Sequence, residues 1–291
     1  MQMRKAVVAG QFYPGQNEAC VDQINECLDA RPLSESLPDT ISAGIVPHAG
    51  WTFSGSLAAL VFSAIRQQHE KVHTFVMFGA VHSFLGAVPA VCNRGVWQTP
   101  LGEIYVDEEL ADAVLATDSA VADPHAHLSE HSIEVQVPFI QYLFPGAKIL
   151  PVLVPPVEQA TELGAKVGEI LRGLESKRIV CLGSTDLTHY GPRYGFVPHG
   201  TGQTALQWAQ NVNDKEFIDL ALELKPVELL ASAARNGNAC GPGAAAATVA
   251  TAKELGCRRG LLLAQTSSSE VMREKMGTTS TDSVGYAALV F

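Results

Sequence analysis

The sequence predicts an α/β fold, and three observations carry that prediction. Short apolar runs ending at Val46, Gly79, Val154 and Ser184 read as strands buried on both faces. Between them lie segments whose apolar residues recur at 57, 60, 61, 64 and 65, and at 163, 167, 170, 171 and 174, each one face of a helix. Three of the strand ends also run into a histidine: His48, His82 and, after Ser184-Thr185-Asp186, His189. In open α/β sheets ligands bind at the carboxyl ends of strands, so three imidazoles delivered in that context point to one site on one rim.

Taken in order, residues 7–15 (VVAGQFYPG) lead in to a Pro-Gly turn, and residues 20–28 predict a short helix with Cys20, Ile24 and Leu28 in line. Residues 31–39 are a polar, proline-bearing connector. The first core strand stops at Pro47, and Gly55 is placed ahead of the first long helix. Residues 73–79 (HTFVMFG) form the next strand, turning through Ala80-Val81-His82-Ser83. A short strand over residues 87–92, a turn and strand over 97–106 punctuated by Pro100-Leu101-Gly102, and a helix over 107–115 follow. Residues 123–144 hold His125, His127 and His131 ahead of a helical stripe; Pro138 lies inside that stripe, so the helix starts late or kinks. After the strand over 149–154 and the helix behind it comes the third histidine-bearing strand end, over residues 178–184 (RIVCLGS). Residues 203–224 predict a long helix stopped near Pro226, with a short helix beyond it. Residues 236–243 (NGNACGPG) form a tight turn carrying Cys240, and the small residues 244–252 continue as a closely packing helix. Residues 261–266 and 284–291 read as the last strands.

At 291 residues, 47% of them hydrophobic, the chain can build one large α/β domain or two smaller ones, and no repeat or composition break marks a linker. Its mean hydropathy is +0.12. A net charge of −10 argues against nucleic acid as a routine partner. No apolar run has the length of a membrane span, and the amino-terminal MQMRKAVVAGQF is too quickly interrupted for a signal peptide. The six cysteines show no CxxC, which fits a cytoplasmic, reducing environment. GxSxG, GxxxxGK[ST], HExxH and GxGxxG are all absent.

Imidazole suits iron, zinc, copper or nickel, and His48 with His82 needs a third donor, carboxylate or thiolate. Cys240 precedes a helix, whose amino terminus favours a thiolate; a free cysteine is more often a small buried hydrophobe, and spacing alone favours that reading. Asp186 lies three residues before His189, a spacing that lets a carboxylate orient a general acid-base imidazole or cap a turn. His131 and Glu134, also three apart, read as a solvated pair sooner than as a ligand with its carboxylate support. His69, His73 and His199 have no supporting context, and His125 and His127 stay open.

With VAGQFYPG, VPHAGWTFSG, TPLGEIYVD, EHSIEVQVPF, STDLTHYG, NACGPG and GYAALVF all in order, the chain resembles the Memo family (AmmeMemoRadiSam system protein B) nearly end to end. That family is similar in fold to the catalytic subunit of class III extradiol dioxygenases. The resemblance implies one domain over residues 1–291, with a central mixed, largely parallel sheet flanked by helices. It places metal ligands on His48, His82 and Cys240, an acid-base role on His189, and Asp186 beside it. The dioxygenases use a carboxylate where Cys240 falls, which moves the metal preference towards softer ions. The Gly-Pro expected before the second histidine is replaced by Gly79-Ala80-Val81. The functions implied are a metal-dependent redox enzyme acting on a small aromatic or related substrate, with iron or copper favoured, zinc as an alternative and no organic cofactor. A non-catalytic cleft binding a peptide or partner is the other class, and a zinc hydrolase is a third. AMMECR-type and radical SAM proteins are the implied partners.

Overall fold

The four runs that are apolar at nearly every position form the middle of the sheet, because only an element covered on both faces accepts such a sequence. The computed structural model describes residues 2–33, 36–82, 86–174 and 177–291. Ser34 and Glu35 of the expected connector, and Ser83 of the expected turn, lie outside the described residues.

The strands are β1 (Met3–Arg4), β2 (Ala43–Val46), β3 (Thr74–Gly79), β4 (Ala90–Val91), β5 (Val96–Thr99), β6 (Gly102–Tyr105), β7 (Val121–Ala122), β8 (Lys148–Leu153), β9 (Ile179–Ser184), β10 (His189–Tyr190), β11 (Leu261–Ser267) and β12 (Ser283–Val290). The helices are α1 (Asn17–Asp29), α2 (Trp51–Gln68), α3 (Glu108–Leu115), α4 (Val137–Leu143), α5 (Gln159–Arg172), α6 (Gln203–Trp208), α7 (Lys215–Leu222), α8 (Pro226–Asn236), α9 (Pro242–Glu254) and α10 (Ser268–Met276). The main sheet runs β10-β12-β2-β9-β3-β8-β4-β7, with β11 on β12, and β1, β5 and β6 make a small second sheet. Strands β2, β9, β3 and β8 are mutually parallel. Antiparallel pairings flank them, β12 against β2 on one side and β4 against β8 on the other. The expected mixed sheet, parallel at its centre, is what forms.

Register decides where the site goes. Val46 pairs with Ser184, and Phe78 pairs with Gly183, so β2, β9 and β3 stop level with one another. The loops that follow carry His48, Asp186 and His82 to one rim. Helices α1, α2 and α4 pack on one face of the sheet, and α3, α5, α7, α8 and α9 on the other. Helix α9 is an alanine-rich rod, and a side chain on Gly164 of α5 would collide with the Ala247 carbonyl. Among the described residues no helix is long and apolar enough to cross a membrane.

Several expected boundaries move. Gly55 lies within α2, which begins at Trp51; a Cβ there would sit 2.7 Å from the Cys27 sulfur of α1, so the glycine serves a helix crossing. Pro138 stands in the first turn of α4, which therefore starts late and does not kink. The long helix expected over residues 203–224 is interrupted by a π-helical turn at Ala209–Asp214. Helix α10, capped by the Ser267 side chain, was not signalled, because its sequence is polar with little apolar periodicity.

The π turn has a local purpose. It places Asn213 and Asp214 beneath the loop after β9: the Thr188 N–H donates to Asp214 Oδ1 (2.9 Å), and Asn213 Nδ2 donates to Thr188 Oγ1 (3.0 Å). A Cβ on Gly285 of β12 would occupy the Asp214 carboxylate's position. Burial pushes the Asp214 carboxyl up to about 7, against the Thr188 hydrogen bonds that favour its charge. A raised carboxyl pKa costs stability that is absent below the unfolded value near 3.8 and complete above about 7. Asp214→Asn removes that cost, so urea melts should show the variant gaining on the wild type by about 2–4 kcal/mol between roughly pH 4 and pH 8. A difference that does not change with pH contradicts this assignment.

Candidate metal centre

His48 is fixed at three points. Its backbone N–H donates to Asp186 Oδ1 (2.7 Å), and its Nδ1 lies 3.1 Å from Ser184 Oγ. The Ser184 hydroxyl donates its own proton to the Ser132 carbonyl (2.7 Å), so it accepts from Nδ1–H. That fixes the tautomer and leaves the Nε2 lone pair free, 3.2 Å from the Cys240 sulfur. Burial, then the nearby His82 and His131, drive the His48 pKa well below the ordinary imidazole value, so the ring is a neutral donor.

His82 is fixed by Glu130, which sequence reasoning did not single out. Its Nδ1 is 2.9 Å from Glu130 Oε1 and its backbone N–H donates to Oε2 (2.9 Å). The same carboxylate accepts the N–H groups of His131 and Ser132, each at 2.8 Å. Burial works to raise the Glu130 pKa, but the His82 contacts and these N–H groups hold it well below the usual carboxylate range. Burial likewise opposes charge on His82, and the Glu130 bond and charge outweigh it, raising the His82 pKa. With Nδ1–H committed to Glu130, Nε2 of His82 is the ligand atom left over.

His131 completes the group. Its ring stacks on His82 with centroids 4.6 Å apart, and its centroid is 5.5 Å from that of His48. The expected pairing of His131 with Glu134 does not form. Glu134 is fully buried and accepts from Arg4 (2.7 Å), the Tyr13 hydroxyl (2.9 Å) and the N–H groups of Val7 and Val8, tying down the amino-terminal segment. Burial and the nearby His82 lower the His131 pKa, leaving another neutral imidazole.

Cys240 approaches from the buried side of His48. The Asp186 N–H donates to its sulfur (3.3 Å), and it stands immediately before the cap of α9. Burial and the Asp186 charge push the thiol pKa up, opposing what a helix amino terminus favours. Asp186 is also used differently from the expectation. Its carboxylate serves the backbone N–H groups of His48 and Ala49, not the His189 ring, and burial raises its pKa to about 7 against those hydrogen bonds. His189 is placed by the pairing of β10 with β12 and by the Tyr194 ring (5.1 Å), and its buried Nε2 has no hydrogen-bond partner. Burial, then His82, lowers its pKa.

Two sets of donor atoms lie within 4.8 Å of one another among the described residues: His48, His82 and His131, and His48, Asp186 and Cys240. His48 belongs to both, so the expected trio of His48, His82 and Cys240 is represented through His48, with Cys240 grouped beside Asp186 instead of His82. Oriented imidazoles, His48 and His131 among them held neutral, with a thiol at hand fit a borderline transition metal such as iron, copper or zinc. A cavity of about 570 Å³ opens on His48, His82, His131, Asp186 and His189, with Phe12, Phe53, Met272 and Tyr286 among its walls.

The remaining histidines lie outside these two groups of donors. His69 bonds the Ile41 carbonyl (2.8 Å), and His73 Nδ1 accepts the Arg178 N–H (2.9 Å). His127 bonds the Ala90 carbonyl (3.0 Å) with its pKa lowered to about 4, chiefly by burial. The His125 N–H caps onto Asp123, and the His199 ring packs on Trp208.

The chain matches the family profile described as Memo-like protein over residues 4–290. It is 37% identical over 300 residues to a MEMO1 family protein of Thermococcus onnurineus, with 99% of each chain covered. It is 36% identical over 295 residues to a MEMO1 family protein of Methanosarcina mazei, covering 100% of this chain and 99% of the relative.

Because Glu130 sets both the tautomer and the aim of His82, Glu130→Gln should weaken Zn²⁺ or Fe²⁺ binding roughly 10- to 100-fold in a chelator competition. An unchanged dissociation constant in a folded variant contradicts that role.

Proposed function

The chain belongs to the Memo family, and on that footing we propose that it is a metal-dependent redox enzyme acting on a small aromatic or related molecule. One observation carries this reading: His48 and His82 each spend Nδ1–H on a buried acceptor, Ser184 and Glu130, and so present Nε2 as a ligand atom in a shared group. His48 and His82 would hold the metal, with Cys240 the third donor the family pattern implies and His131 the further imidazole in reach. A bound iron or copper would supply a redox-active Lewis acid that polarises a phenolic oxygen, and zinc in the same place would favour hydrolysis.

The rest of the chemistry belongs to side chains. His189 lines the cavity with a neutral ring and an unpartnered buried Nε2. That atom takes the substrate's hydroxyl proton and returns it after reaction. Asp186 acts one step back, holding the His48 backbone so that the imidazole cannot swing away. The apolar walls at Phe12, Phe53 and Met272 strip water from a planar substrate.

A second reading has its own observation. The Cys240 thiol, its pKa pushed up, can donate to His48 Nε2 at 3.2 Å and satisfy the pair without any metal. The cleft would then bind a peptide or partner with no chemistry. Metal analysis of anaerobically purified protein separates the two. We expect about one iron or copper per chain, lost in His48→Ala and His82→Ala while circular dichroism shows both folded. A folded wild-type protein that binds no metal removes the enzyme reading and leaves the binding cleft.

A further inference from the structure

The mouth of the cavity carries one permanently charged cation among its described lining residues, Arg193. It sits in the short turn Pro192–Tyr194, just past His189. The turn is pinned: the Arg193 backbone N–H donates to Asp282 Oδ1 (2.8 Å), and a Cβ on Gly191 (φ 124°) would run into Asp282. Asp282 is thus engaged by the arginine's own main chain. Its N–H in turn donates to Ser280 Oγ (3.0 Å), which holds the loop leading into β12. The other cavity carboxylate, Asp186, is buried under the His48 loop. The Arg193 guanidinium has no hydrogen bond or ion pair with any described residue. A rigidly mounted backbone presenting an uncommitted guanidinium beside an aromatic-walled cavity is the arrangement that recognises an anion by its planar fork.

We propose that Arg193 is the recognition residue for a carboxylate, so that the molecule taken by this cavity is a small aromatic acid. This rests on the reading that the cavity serves a metal-dependent enzyme of small aromatic compounds, and it adds the charge and the end of the molecule that is gripped. The ring packs against Phe12, Phe53 and Met272, and the carboxylate meets Arg193 at the mouth. The position also gives Arg193 a part in specificity: neutral phenols fit the same walls without an anchor.

The test is calorimetric titration of metal-loaded protein with 4-hydroxybenzoate and with phenol, in wild type, Arg193→Gln and Arg193→Lys. Wild type is expected to bind the acid at least about tenfold tighter than phenol, a preference that shrinks as salt is raised. Arg193→Gln should abolish the preference and leave phenol affinity unchanged, and Arg193→Lys should fall between, because an ammonium keeps the charge and loses the fork. Equal affinity for acid and phenol in wild type, no binding of either, or an acid preference that survives Arg193→Gln overturns the proposal. Metal content measured on the same samples keeps the two claims apart. Metal present without acid preference sinks the Arg193 assignment alone, and acid preference in a protein that cannot hold metal sinks only the enzyme reading.

Discussion

The hydrogen bond from the His48 backbone to the Asp186 carboxylate joins the loops after β2 and β9, and the rest of the site hangs from that join. Those strands end level because Val46 and Ser184 are register partners in a parallel pair. A carboxylate buried at this depth costs free energy unless N–H groups meet it. The N–H groups that meet it belong to His48 and Ala49. The loop after β2 is therefore drawn onto the loop after β9, and the His48 ring falls between Ser184 and Cys240, each of which can touch one of its nitrogens. Removing the carboxylate would free the imidazole and uncover the amides at once.

Three imidazoles within 5.5 Å of one another cannot all carry positive charge, and the surroundings settle which do not. Burial and mutual repulsion keep His48 and His131 neutral, while Glu130 supports His82. Such crowding serves no packing purpose that aliphatic side chains would not serve better. Its product is lone pairs directed at a common space beside a cavity, with a thiol behind them. The side facing solvent is built from segments distant in sequence: Phe12 from the amino-terminal segment that Glu134 anchors, Met272 from α10, and Arg193 from the turn after β10. The cavity is thus complete only when the amino-terminal segment and the region before β12 are both docked.

Much of this was legible in the chain. Strands buried on both faces announce themselves as unbroken apolar runs, and the histidines directly after them could be placed on one rim without knowing the register. Glu130 and His131 were not legible from periodicity, because residues 123–136 are short turns whose backbone follows local hydrogen bonds. The only hint was an acid directly beside a histidine. The i, i+3 spacing of His131 and Glu134 misled because it presumes one α-helix face, and the chain there is a turn and a short 3₁₀ segment until α4. The role of Asp186 was misjudged for a related reason: spacing tied it to His189, whereas a contact 138 positions away took its carboxylate. The Cys240 thiol sets burial against a helix terminus, a balance that depends on depth and so cannot be read from neighbours in sequence.

The most direct test of the central claim, that His48 Nε2 is a metal donor fixed by Ser184 and Asp186, is anomalous diffraction from crystals grown anaerobically with Fe²⁺ or Zn²⁺. The account predicts a single strong peak about 2.0–2.1 Å from His48 Nε2, with His82 on the same ion and Ser184 still bonded to Nδ1. A peak that leaves His48 unligated, or well-diffracting metal-soaked crystals with no peak at the rim, would contradict it.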